Sequence, residues 1–239
     1  MLGKVTRTLF SRLLLILIII LFTPMFLIML VTPKMWLMRS RAFFYLVQLF
    51  YDTFIKFSLL PITFVGKQHI PSEPAIFVVN HQSSYDIPLA GYLTQGHPHI
   101  WLAKEELMDS WLLRIILPRV TVLIDPSSPR KAMRSLLEII KLVNGSGAHL
   151  MIFPEGGRFI DGEMHEFYAG FVMLAKKTGR PVLPVRIFGV NEVYPPEQFW
   201  IHYCPVKVVI GEPMIIGDTE DDESFKNRVY AWFLAQTAE

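Results

Sequence analysis

Short apolar runs rich in β-branched residues alternate with amphipathic stretches from residue 75 to residue 235, and that alternation admits few architectures. The runs are Ala75 to Val79, His99 to Ala103, Val120 to Ile124, Ala148 to Phe153, Val182 to Phe188 and Val206 to Ile210. Each has the length of a buried strand. The patterning predicts helices at Ile87–Leu93, Ser110–Leu117, Ser128–Val143, Phe171–Thr178 and Glu223–Ala235, with Asn144-Gly145 as the stop signal of the third. The expected fold is α/β: a largely parallel mixed sheet flanked by helices. No repeat and no low-complexity linker interrupts it.

In such sheets, ligands bind beyond the carboxyl ends of the strands. Ala75 to Val79 is followed at once by Asn80, His81, Gln82, Ser83 and Ser84, with Asp86 closing the group. A His with an Asp five residues on is a candidate base and its orienter; a polar strand-to-helix turn capped by Ser84 or Asp86 is the plainer alternative. Ala148 to Phe153 ends in Pro154-Glu155-Gly156-Gly157-Arg158. Paired glycines let backbone N–H groups approach an anion, and Arg158 supplies a planar, permanently charged fork suited to phosphate. Glu155 can orient Arg158 or bind a substrate hydroxyl; a Gly-rich turn with a surface ion pair fits the same residues. Lys104, opening Lys104-Glu105-Glu106-Leu107 after the strand His99 to Ala103, can meet phosphate as a point charge.

Composition narrows the setting. A net charge of +2 over 239 residues makes no case for nucleic acid as a partner. The single cysteine, Cys204, excludes an internal disulfide and a Cys-based zinc site. Much of the 52% hydrophobic content sits in the first 64 residues. Leu13 to Pro33 carries no charge, about the ~20 residues of a spanning helix, but Pro24 in its middle should kink or break it. Basic residues stand on both flanks: Lys4, Arg7 and Arg12 before, Lys34, Arg39 and Arg41 after. That distribution disfavours one simple crossing and suits a re-entrant or interface-lying segment. Ala42 to Phe64 is dense in aromatics, with Gln48, Asp52 and Lys56 marking one polar stripe. It reads as a second helix, either at the bilayer interface or packed on the globular part. The expected division is a membrane-associating two-helix segment over 1–64 and an α/β domain over 65–239.

The Asn80-His81-x4-Asp86 and Phe153-Pro154-Glu155-Gly156-x-Arg158 groups, in that order and each at a strand end, resemble those of the glycerophospholipid acyltransferases, and of bacterial 1-acylglycerol-3-phosphate acyltransferases in particular. Lys104 to Leu107 and Pro181 to Val185 resemble two further blocks of that family, so the resemblance covers roughly Phe64 to Pro213. It implies transfer of a fatty acyl group from acyl-CoA or acyl carrier protein to the free hydroxyl of a lysophospholipid, at the cytosolic side of the cytoplasmic membrane, without metal or cofactor. It further implies His81 as general base, Asp86 as its orienter, and Lys104, Glu155, Gly156, Gly157 and Arg158 as substrate-binding residues. Three positions depart from the family pattern: Gly157 replaces a usual Thr, Ile124-Asp125-Pro126 replaces Ile-Asp-Arg, and Tyr168-Ala169 stands where a Lys is common before Gly170. These thin the positive charge around an acceptor phosphate, so another lysolipid acceptor stays open. A thioester hydrolase and a non-catalytic lipid-binding module are the readings from other classes.

Overall fold

The computed structural model describes residues 2–104, 115, 118–124, 128–159, 161–193 and 200–238. Glu105, Glu106, Leu107, Asp125, Pro126 and, residue 115 apart, the helix expected over 110–117 lie outside the described residues, as does the side chain of Lys104.

The chain begins with α1 (Leu2–Leu21) and α2 (Thr23–Val31), bent by 47° where they meet. Pro24 accounts for the break. It has no N–H to give and its ring crowds the carbonyl four residues back, so it is accommodated only in the first turn of a new helix. Among the described residues no single helix is long and apolar enough to cross a membrane; α1 and α2 reach that measure only as a bent pair.

After α3 (Lys34–Leu37) comes α4 (Arg41–Phe57), whose N-cap Ser40 accepts from Phe43 N–H. The helix expected from Ala42 to Phe64 is therefore too long. Leu59 takes φ +57° and Pro61 follows; proline removes the helical N–H and disfavours helix in the residue before it. The remainder forms a strand, β1 (Ile62–Val65). One face of α4 (Phe43, Phe44, Val47, Tyr51) is buried in the core. The polar stripe is partly engaged too: Gln48 donates to Asp52 and to the carbonyl of Tyr92, and accepts from Gly96 N–H.

Beyond β1 the order is β2 (Ile76–Val79), α5 (Asp86–Tyr92), β3 (His99–Lys104), β4 (Thr121–Ile124), α6 (Pro129–Ser146), β5 (His149–Ile152), α7 (Gly170–Thr178), β6 (Val182–Phe188), α8 (Val190–Val193), β7 (Val206–Ile210) and α9 (Asp222–Ala235). Helix α6 outlasts its expected stop. Gly145 stays helical, and Gly147, at φ +67°, turns the chain and donates its N–H to the carbonyl of Val143.

The described strands form one seven-stranded sheet in the order β1-β7-β6-β2-β5-β3-β4. All neighbours are parallel except β6 and β7, so the sheet is mixed. β2 lies at its centre with all four residues fully buried. Ile76 and Val78 pack with Ile139, Phe171, Leu174, Phe225 and Phe233 of α6, α7 and α9; Phe77 and Val79 pack with Leu89, Leu93 and Val190 of α5 and α8. Burial on both faces explains the unbroken apolar run.

At the opposite edge from the strand ends that matter below, His99 and His149 are cross-strand neighbours and both are buried. His149 Nδ1 accepts from Ala75 N–H at 3.0 Å. His99 Nδ1 faces the carbonyl of His97 at 3.1 Å, so it carries the proton, and Nε2 accepts from the Tyr51 hydroxyl at 3.1 Å. Both rings are neutral. Burial holds His99 down to about 4; burial, with the neighbouring His99, His97 and Arg180, holds His149 down to about 3. A histidine whose native value lies below its unfolded value of about 6.5 contributes full stability above that pH and loses it as the pH falls towards the native value. Between about pH 6.5 and 4 each should cost about 1.4 kcal/mol per pH unit. Denaturant titrations of the purified protein at about pH 7.5 and about pH 5 should show that loss, and His149→Asn, which keeps an acceptor for Ala75 N–H but does not titrate, should remove the share due to His149.

Candidate active site

Parallel pairing of β2 with β5 brings their carboxyl ends to one edge. The register sets Val78 opposite Ile152, so carried on it brings position 81 level with position 155. Asn80, the first residue past β2, prolongs the sheet with its side chain: Nδ2 donates to the carbonyl of Ile187 at 2.9 Å and Oδ1 accepts from Ile187 N–H at 2.7 Å. It is buried and anchors the loop that follows. Its place after the apolar run and at the head of the Asn80-His81-x4-Asp86 group marked it in the sequence, but not its partner Ile187.

His81 is held from every side. Its Nδ1 lies 2.9 Å from Asp86 Oδ2. A carboxylate can only accept, so Nδ1 carries the proton and Nε2 keeps a lone pair. One face of the imidazole stacks on Phe153 at 3.9 Å and 13°, and Phe153 stacks in turn on Trp101 at 5.3 Å. The main chain of His81 is clamped as well: its N–H donates to Glu155 Oε1 at 2.9 Å, and its carbonyl accepts from Phe159 N–H at 3.0 Å. Asp86, fully buried at the start of α5, takes two more donors on Oδ2, the N–H groups of Gln82 and Ser83, each at 2.7 Å. The four residues between His81 and Asp86 are thus a tight loop wrapped around one carboxylate oxygen.

Glu155 is buried, 3% exposed, and both its oxygens are engaged by main chain: Oε1 by His81 N–H and Oε2 by His165 N–H at 3.2 Å. Burial pushes its carboxyl above the usual range, against the pull of those two donors. Of the two roles expected for Glu155, orienting Arg158 or binding a hydroxyl, the geometry displays neither; it displays a brace between two loops. Gly156 takes φ +63° and donates to the carbonyl of Phe153 at 3.1 Å, a turn that side-chain-bearing residues adopt only with strain. At Gly157 a Cβ would meet the Phe159 ring at 3.3 Å, so the departure from Thr accompanies the phenylalanine two residues on. Arg158 is exposed, and its Nη1 donates to Ser84 Oγ at 3.2 Å, bridging the two loops. Lys104 ends β3, which pairs with β5, so its backbone is at the same sheet edge.

A cavity of about 380 Å³ adjoins this edge. Leu15 of α1, Phe50 and Phe54 of α4, Ile87 and Pro88 of α5, and the loop residues Ser84 and Tyr85 line it, with Arg12 at its wall. The polar His81–Asp86 loop therefore borders an apolar chamber built largely by the N-terminal helices.

A model of the Acyltransferase family matches residues 61–188, more than half of the chain. The chain belongs to that family. The match contains His81, Asp86, Glu155 and Arg158, and it begins after α4. Among curated proteins, the 1-acyl-sn-glycerol-3-phosphate acyltransferase of Pseudomonas aeruginosa is 32% identical over 73% of this chain and 68% of its own length. The chloroplastic 1-acyl-sn-glycerol-3-phosphate acyltransferase BAT2 of Brassica napus is 29% identical over 65% of this chain, which spans 45% of that protein. The crystal structure of the 1-acyl-sn-glycerophosphate (LPA) acyltransferase PlsC from Thermotoga maritima superposes with a TM-score of 0.76 at 26% identity, covering 100% of this chain and 99% of that one. The likeness to this acyltransferase extends through α1 to α4, beyond the family match.

Proposed function

We propose that the protein transfers a fatty acyl group from an acyl thioester, acyl-CoA or acyl carrier protein, to the free hydroxyl of 1-acylglycerol-3-phosphate, giving phosphatidate. The observation that carries this is the His81–Asp86 pair, with its tautomer set and its Nε2 lone pair left for a substrate proton, beside Arg158 and an apolar cavity. An alcohol is a poor nucleophile and needs its proton removed as it attacks. His81 Nε2 takes that proton while the alkoxide oxygen bonds to the thioester carbonyl carbon. Asp86 stabilises the imidazolium so formed. Collapse of the tetrahedral intermediate breaks the C–S bond, and the proton passes from His81 to the leaving thiolate. The substrate hydroxyl plays the part of a serine, so no acyl-enzyme forms. Arg158, with Ser84 and Lys104, holds the acceptor phosphate, Gly156 and Gly157 let the loop approach it, and Glu155 braces that loop. The acyl chain occupies the cavity. Acyl-CoA with a panel of lysolipid acceptors, products separated, tests the assignment: phosphatidate formation is expected, and thioester cleavage without an acceptor would point to a hydrolase instead.

His81→Ala should lower transfer by ~10²–10⁴-fold with the fold retained, and Asp86→Asn should also be severe because the orienting charge goes. A His81→Ala enzyme keeping more than about half its rate would overturn the mechanism. Arg158→Lys should raise the acceptor KM more than the donor KM, since lysine lacks the bidentate fork; movement of the donor KM alone would assign Arg158 to the thioester's phosphates.

For the N-terminal helices α1 to α4 the proposal is a monotopic anchor, with the α/β domain, which starts at β1 (Ile62–Val65) rather than at the expected residue 65, on the cytosolic side of the cytoplasmic membrane. Leu13, Ile16, Leu17, Ile20, Leu27 and Val31 of α1 and α2 are all exposed, and an apolar face of that extent suits lipid. The break at Pro24 and the two basic flanks keep both ends at one anionic surface. The protein should resist high-salt extraction and require detergent. Single cysteines near each terminus, in a Cys204→Ser background, should label only after cells are permeabilised; labelling of either from outside would refute the shared-side topology.

A further inference from the structure

The loop from Pro154 to Tyr168 is closed on itself, Tyr168 N–H donating to the carbonyl of Pro154 at 2.9 Å. Inside it stands a second His–Asp pair that the mechanism does not use. His165 Nε2 lies 2.8 Å from Asp161 Oδ2, so this nitrogen carries the proton and donates. Asp161 Oδ1 accepts from Glu163 N–H at 3.1 Å, fixing the carboxylate. The other partner of the His165 ring is Phe159, stacked at 3.6 Å and 14°.

These contacts lead to His81 by two routes. Phe159, against which His165 stacks, gives its N–H to the His81 carbonyl. His165 gives its own N–H to Glu155 Oε2, and the other oxygen of Glu155 holds the His81 N–H. One residue thus touches both main-chain clamps on His81, its ring through Phe159 and its main-chain N–H through Glu155. Nothing in the short-range pattern of the loop imposes this: residues 159 and 161–168 are irregular, and glycine at 157 and 162 restrains the chain little. The side chain of His165 supplies the constraint that the backbone lacks.

We infer that His165 is a positioning residue for acyl transfer: its ring, held by Asp161, sets the Phe159 clamp on His81 and fixes the place of the main-chain N–H that engages Glu155. The inference rests on His81 as the base. Its effect belongs on kcat rather than on either KM, because it fixes where the base stands and touches neither phosphate nor acyl chain. Misplacement of a catalytic group by about an ångström lowers rates by up to ~10²-fold.

The test is a set of steady-state measurements with acyl-CoA and 1-acylglycerol-3-phosphate on the full-length protein in detergent. His165→Ala should lower kcat ~10–100-fold while both KM values stay within about twofold of wild type. Asp161→Ala should move kcat the same way; Asp161 is exposed, so this variant tests the idea even where His165→Ala folds poorly. His165→Gln, whose amide N–H can reach Asp161, should recover part of the loss. A double-mutant cycle with Glu155→Gln should show coupling, the His165→Ala loss being smaller in that background because glutamine keeps one acceptor for His81 N–H and already breaks the link to the main chain of residue 165. Full multiplication of the two losses, a kcat within about twofold of wild type in both single variants, or a loss carried by acceptor KM would overturn the inference. His81→Ala is measured in parallel and involves neither loop residue. If it stays active, the base assignment and this inference fall together; if it is inactive while His165→Ala and Asp161→Ala are normal, this inference alone falls.

Discussion

The structure depends first on the parallel pairing of β2 with β5 at the centre of the sheet. Both strands are buried throughout, so a slip by one residue would exchange the side chains packed against the two helix layers and undo the fit of both. A parallel pair needs a long crossover, here the stretch from Asn80 to Ala148 that supplies α5, β3, β4 and α6. In return it brings two carboxyl ends to the same edge, where one loop carries His81 and Asp86 and the other carries Glu155 and Arg158. Residues 74 positions apart thereby exchange hydrogen bonds directly.

A base that must take a proton at one nitrogen needs its other nitrogen, its ring plane and its main chain fixed. Each of the three has a separate device. Asp86 sets the tautomer, Phe153 backed by Trp101 sets the plane, and Glu155 with Phe159 sets the main chain. The two carboxylates are removed from water to do so, which is costly unless donors replace the water. Three donors converge on one oxygen of Asp86, and two backbone N–H groups meet Glu155. That arrangement ties the loops into a single rigid body: loss of either carboxylate strands buried N–H groups as well as freeing the imidazole.

The N-terminal helices have two characters at once. Met25, Met29, Phe43 and Phe44 enter the same hydrophobic cluster as Ile76 and Ile139, and α4 and α1 wall the cavity beside the His81 loop. The outward faces of α1 and α2 stay apolar and uncovered. On the proposed function, one layer of helices then joins lipid to active site, with an acyl chain passing from the uncovered face into the cavity without crossing water.

Local chemistry by itself determined much of this protein. The β-branched runs located six strands, two of them, Val182–Phe188 and Val206–Ile210, to the residue, because burial on both faces leaves an unbroken apolar signature. Proline 24 foretold the break between α1 and α2, since a missing N–H acts wherever the chain goes. The pairing of His81 with Asp86 was legible because the group stands at a strand end and, with the Glu155 to Arg158 group, resembles the acyltransferase pattern; spacing alone left a capped turn open. What needed the tertiary structure was everything carried by non-local contacts. Strand β1 was hidden in an aromatic stretch whose pattern is helical, and only its parallel partner β7 makes Ile62–Val65 a strand. Glu155 read as an orienter of Arg158 or a partner for a substrate hydroxyl; its partners in the fold are main-chain N–H groups that no composition reveals. Phe159 and His165 carried no motif, and Asn80 stood in one without its partner, Ile187, being visible. Their roles arise where the sheet register brings two loops together, and that register is set by the packing of the whole core rather than by any residue near the site.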